Sequence, residues 1–108
     1  MNIEQIEQIE QEINEIKGKL MAINKMRPGS LTCQYKNPKE KLGANYQISY
    51  TFKMKSRTDY VKAACVEDMQ FQIAEYKSFR ALTDRWVELA IMHSNLEMKS
   101  VKRKRRNE

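Results

Sequence analysis

Histidine occurs once in this sequence, cysteine twice, proline twice and glycine three times, and each scarcity narrows what the chain can do. Hydrolysis or group transfer needs a base beside a nucleophile, or carboxylates that converge on a metal. The single histidine, His93, falls instead at a seam position of a helical pattern, where packing or register accounts for it. Cys33 and Cys65 stand apart, with no CxxC pair and no Cys/His cluster, so they read as reduced, partly buried thiols of an intracellular protein. Walker, GxGxxG and HExxH motifs are missing, and with them the usual phosphate-cradling and zinc-binding chemistries. No enzyme activity, no cofactor and no metal site is expected. No apolar run approaches the roughly 20 residues that cross a bilayer. The opening MNIEQIEQIEQEINEI is acidic and periodic, without the basic start and apolar centre of a secretion signal. The chain reads as cytoplasmic, with no membrane partner.

What the chain has in quantity is charge, sorted into blocks. Residues 1–24 carry five acids and two bases, residues 25–62 nine bases and two acids, residues 63–98 six acids and three bases, and residues 99–108 six bases and one acid. These blocks net −3, +7, −3 and +5 within an overall charge of +6. Two basic segments separated by acidic, strongly patterned ones point to a protein that assembles through some parts and grips a polyanion with others. At 108 residues and 41% apolar, the chain suits one small domain with a modest core.

Residues 3–26 are expected to form a helix. Ile6, Ile9, Ile13, Ile16, Leu20 and Ile23 follow spacings of 3, 4, 3, 4 and 3, the a and d positions of three heptads. That register would bring Glu12 and Lys17 together across a parallel dimer. Gly18 falls on the outer side, where it weakens the helix by about 1 kcal/mol but leaves no hole in the seam. Three heptads are marginal alone, so the helix must dock, either on its own domain or on a second copy. Pro28-Gly29 ends it.

The period then changes from seven to two. Leu31, Cys33 and Tyr35 alternate with polar residues, and Tyr46, Ile48, Tyr50, Phe52 and Met54 alternate with Gln47, Ser49, Thr51, Lys53 and Lys55. Ser56-Arg57 reads as a hairpin turn and Thr58–Lys62 as a returning strand. Residues 29–62 thus read as a small three-stranded antiparallel sheet with one apolar face, which needs a helix over it, and one polar, basic face. From 66 to 98 the helical period returns, with Phe79, Leu82, Trp86, Leu89, His93 and Leu96 at spacings of 3, 4, 3, 4 and 3. Part of so long a helix would overhang the sheet and the first helix, and an overhanging apolar stripe favours a homodimer. Residues 99–108, KSVKRKRRNE, read as a disordered basic tail or the frayed end of the helix. The expected architecture is α+β: a single domain over 1–98 in the order helix, strands, helix, then the tail.

The basic residues carry the functional signal. Lys53, Lys55 and Arg57 are expected on or beside the solvent face of the hairpin, near Lys36, Lys39 and Lys41 of the preceding loop. A β-ribbon of this kind can enter a major groove or follow a phosphate backbone. Lys102, Arg103, Lys104, Arg105 and Arg106 are five consecutive bases, a strong electrostatic signal without sequence-reading geometry. Asp59 and Glu40, isolated in the basic middle, are expected to pair with neighbouring lysines. The aromatic residues between the cations are expected to face the core.

Gly29-Ser30-Leu31, a short strand ending at Tyr35, Gly43 ahead of the Tyr46–Tyr50 strand, the hairpin to Tyr60-Val61, and Glu75-Tyr76-Lys77-x-Phe79-Arg80-x-Leu82 form a recurring order. Over about residues 27–96 it resembles a family of short, uncharacterised prokaryotic domains often encoded by mobile elements, alongside or within transposase-like genes. Many members carry a cysteine cluster between the first two strands. Here that loop is KNPKEKLGA, so the resemblance implies no metal site, and no activity, but a prokaryotic, viral or mobile-element setting. The leading reading is a small nucleic-acid-binding accessory protein, with DNA favoured over RNA, that dimerises through its helices. The rival is a helical adaptor for another protein, including a phage-type inhibitor of a nucleic-acid enzyme.

Overall fold

The computed structural model describes residues 2–37, 39–40 and 42–106, and leaves the side chains of Asn2, Leu42 and residues 102–106 undescribed. Along the chain run α1 (Asn2–Met21), β1 (Ser30–Asn37), β2 (Leu42–Phe52), β3 (Lys55–Val61), a 3-10 turn (Ala63–Cys65) and α2 (Val66–Arg106). The order is the expected helix, three-stranded antiparallel sheet and long helix, an α+β fold. The chain divides into two compact units: residues 1–23 with 79–108, and residues 24–78. α2 contributes to both.

The first unit is a helix pair. Ile9, Ile16 and Leu89 are its buried apolar residues, and Ile13, Leu20, Leu82, Trp86 and Leu96 pack against them, half-buried. Leu89 is 1% exposed, so the seam of α1 is filled by the seam of α2. Polar contacts flank it. Arg85 donates to both carboxylate oxygens of Glu12, at 2.7 and 3.2 Å. The Lys17 ammonium lies 5.4 Å from the centre of the Trp86 ring, a cation–π contact.

α1 stops at Met21, short of the expected residue 26. Its last turn tightens: Ala22 N–H donates to Lys19 C=O at 3.2 Å and Ile23 N–H to Leu20 C=O at 3.1 Å, bonds of 3-10 type that commonly close a helix. Ile23 and Asn24 follow, a β-branched residue and one whose side chain competes with the helical backbone. Ile23 therefore lies outside the helix. α2, conversely, runs past the expected end at Met98 to Arg106, so the basic stretch is helical backbone and not a tail outside the fold. Lys and Arg are good helix formers, and cations are favoured at a helix C-terminus by the macrodipole. Those terms outweigh the mutual repulsion on which the expectation of disorder rested.

The second unit holds the sheet, in the order β1-β2-β3, both pairings antiparallel. Ile48, at the centre of the middle strand, is 0% exposed, and Ile73 of α2 is buried as well. Gly29 sits against Ile48 with φ +138°, and a Cβ there would come within 2.8 Å of Ile48 Cγ2. The chain enters β1 by this route only because the position has no side chain.

Candidate nucleic-acid interface

In an antiparallel pair, residues directly opposite one another point to the same face. The register pairs Leu31 with Ile48 and Cys33 with Tyr46 on one side, and Ile48 with Asp59, Tyr50 with Arg57 and Phe52 with Lys55 on the other. All of these share the apolar face. Ser30, Thr32, Gln34, Lys36, Asn45, Gln47, Ser49, Thr51, Ser56 and Thr58 lie on the opposite face with the exposed Tyr60, and hydroxyls pair across the strands there, Ser49 with Thr58 at 3.3 Å and Thr51 with Ser56 at 3.0 Å.

This register corrects the expected placement of the cations. The turn is not at Ser56-Arg57 but at Lys53-Met54, a two-residue loop between the pair Phe52 and Lys55. Lys55 and Arg57 therefore stand on the aromatic face, beside Phe52 and Tyr50, and not on the polar one. Lys53 and Met54 have φ of 52° and 65°, the positive values that a tight hairpin of primed type requires at both central positions. Asn-Gly or Asp-Gly adopts them readily; a pair of ordinary L residues holds them at a cost of roughly 1–2 kcal/mol each.

The lysine groups expected to lie together do not. The β1–β2 connection closes one end of the sheet and the Lys53-Met54 turn the other, with eleven residues of β2 between them. At about 3.3 Å per residue that separation is about 35 Å. Lys36 lies on the polar face near the far end and Lys39 in the loop beyond it; Lys41 lies outside the described residues. The backbone of Lys102, Arg103, Lys104, Arg105 and Arg106 extends α2, while their side chains lie outside the described part of the molecule.

At the turn end, Tyr50 to Phe52 and Lys55 to Arg57 pair with each other but not with β1, whose first residue, Ser30, faces Ser49. The hairpin thus projects as a two-stranded ribbon. Its apex carries Phe52 at 60% exposed and Met54 at 97%, with the Lys53 ammonium 5.5 Å from the Phe52 ring centre. The exposed aromatic and apolar pair is what sequence reasoning missed, because it assigned Phe52 and Met54 to the core face; the alternation holds only as far as Phe52, Met54 stands in the turn, and neither is buried. From Gly43 to Thr58 the sequence has no acid. The next one, Asp59, accepts a hydrogen bond from the Arg27 guanidinium, which also lies 5.0 Å from the Tyr50 ring centre. Asp59 pairs with an arginine, then, and not with a neighbouring lysine. The Glu40 backbone N–H donates to Asn37 Oδ1 at 3.4 Å.

The remaining predicted residues have structural partners. His93 Nε2 lies 3.0 Å from Glu10 Oε2 and Nδ1 3.2 Å from Glu97 Oε1. Ile6 is half-buried on α1. Within the chain, Glu12 meets Arg85 and Lys17 the Trp86 ring. Arg85 holds the Glu12 carboxyl below its usual range. Cys33 and Cys65 are unbridged and exposed, not partly buried; the neighbouring Cys33 thiol pushes the Tyr35 hydroxyl above its ordinary value. Among the described residues no helix is long and apolar enough to cross a membrane, and no group of three or more His, Cys, Asp or Glu is placed to hold a metal ion. Comparison with protein-family models, with curated proteins and with solved structures finds no match.

Proposed function

We propose that this chain is a small non-enzymatic nucleic-acid-binding accessory protein, acting on DNA before RNA in the cytoplasm of a cell that hosts a mobile element or phage. The observation that carries the reading is the β2–β3 hairpin: three exposed cations, Lys53, Lys55 and Arg57, on a projecting ribbon without an acid of its own. The five bases Lys102–Arg106 add a second cationic segment, and the family resemblance supports the mobile-element setting. Each phosphate neutralised by Lys or Arg releases counterion, so log K falls with log salt at about 0.9 per contact on a duplex.

The test is a salt titration with duplex DNA, single-stranded DNA and RNA. With about six contacts, raising salt from about 50 to 200 mM weakens duplex binding about a thousandfold. Deleting residues 101–108 weakens all three alike and makes the slope shallower, since phosphate contacts carry no sequence information. Neutralising Lys53, Lys55 and Arg57 adds a further loss. Absence of binding to any of the three at low salt overturns the reading.

A separate observation bears on self-association and on the rival adaptor. Val87, Ile91 and Met98, spaced by 4 and 7 on α2, are each more than half exposed. The a/d seam is occupied within the chain, so a homodimer would use this second stripe. Solution mass of the wild type and of Ile91→Asp tests it, because Ile91, unlike Ile13 or Leu89, is not part of the helix-pair core.

A further inference from the structure

We infer that the apex of the β2–β3 hairpin is an apolar wedge for duplex DNA, with Met54 and Phe52 entering between base pairs while Lys53, Lys55 and Arg57 hold the flanking phosphates. The inference rests on the nucleic-acid reading above and adds how the contact is made. Met54 is the most exposed large apolar residue described, and Phe52 stands next to it across the turn. Both are carried on a ribbon only two strands wide and closed by two residues, narrow enough to follow a groove. Apolar side chains such as Met and Phe, inserted at a base step, unstack it and kink the duplex; pyrimidine–purine steps yield most easily. The surrounding charge is of one sign, complementary to phosphate, because Asp59 is already engaged by Arg27.

The backbone supplies an independent argument. Lys53 and Met54 hold positive φ without being Gly or Asn. Asn-Gly would form the same turn without strain, but would remove one of the cations and the apex side chain. Strained conformations of this kind persist where they serve a function, and what this one retains is the cation and the wedge together.

The test uses the full chain with a duplex of about 25 base pairs, carrying 2-aminopurine at a central TA step and a fluorophore pair at its ends. Wild type is expected to raise the 2-aminopurine emission and to shorten the end-to-end distance. Met54→Ala and Phe52→Ala lose both signals and weaken binding about tenfold, yet leave the salt slope unchanged, since no cation is removed. Lys53→Asn combined with Met54→Gly keeps the turn and still loses both signals. Salt-dependent duplex binding without unstacking or bending, or with signals indifferent to these substitutions, overturns the wedge and leaves the electrostatic reading standing. Tighter binding to single-stranded DNA that depends on Phe52 alone overturns it in favour of base stacking. Loss of all nucleic-acid binding in the wild type overturns both.

Discussion

His93 and Glu10, 83 positions apart in the sequence, meet across the helix pair with Nε2 and Oε2 at 3.0 Å. Glu97 approaches the other ring nitrogen, and the two carboxylates together raise the His93 pKa above its ordinary value against a smaller opposing effect of burial, the Glu10 hydrogen bond being the largest cause. A group whose pKa is raised on folding stabilises fully below its unfolded value and ceases to do so as pH rises through the folded value. Thermal melts of wild type against His93→Gln are therefore expected to differ most near pH 6 and to converge above the raised pKa. A difference that is constant from about pH 5.5 to 8.5 would contradict this.

Leu89, fully enclosed by the α1 seam, is the best single probe of the helix pair. Leu89→Ala is expected to lower unfolding stability by about 2–5 kcal/mol in urea, through lost transfer energy and the cavity left behind. Val87→Ala, outside the helix-pair core, should change it by less than about 0.5 kcal/mol at concentrations where the chain is monomeric.

Gly18 and Gly29 should respond to alanine in opposite directions. A Cβ added at Gly18 would meet nothing within 4 Å, and the position lies in the last turn of α1, so Gly18→Ala is expected to stabilise by at most about 1 kcal/mol. Gly29→Ala meets Ile48 Cγ2 at 2.8 Å and Ser49 O at 3.0 Å in a backbone conformation that alanine resists. It should destabilise by roughly 1–3 kcal/mol. Denaturant midpoints of the two variants check both signs.

Relaxing the hairpin turn should raise stability while lowering function. Lys53→Asn with Met54→Gly replaces two strained residues by a pair that favours positive φ at both positions, for an expected gain of about 2–4 kcal/mol in thermal or urea unfolding. If stability falls instead, the turn is not strained in the way the φ values imply.

The helices were legible because their seams repeat. Ile9, Ile16 and Leu89 stand at heptad positions and are buried, and the 3.5-residue rhythm needs no tertiary information to be seen. The strands were legible in number and alternation, but not in register. Lys53-Met54 carries no turn chemistry, so the eye passes to Ser56-Arg57. Moving the turn changes which residues of β3 oppose Tyr50 and Phe52, and transfers Lys55 and Arg57 to the other face. The separation of Lys36 and Lys39 from the hairpin cations follows from the antiparallel layout: loops at successive turns close opposite ends of the sheet. Composition cannot express this. Nor does sequence show that a projecting ribbon leaves Phe52 and Met54 uncovered, because burial depends on where neighbouring elements stop.

β3 pairs with β2 alone and forms one margin of the sheet, so its outer row of backbone N–H and C=O groups is a template for another chain's strand. Lys55, Arg57 and Asp59 alternate along that margin, and charged residues there discourage edge-to-edge joining. Under the proposed function the cations of the ribbon would serve twice, toward phosphate and as guards of an open edge. Neutralising Lys55 and Arg57 together is expected to produce concentration-dependent light scattering that the wild type lacks, and the guard role fails if both remain clear at equal concentration. Affinities of such variants are meaningful only at concentrations where they stay dispersed.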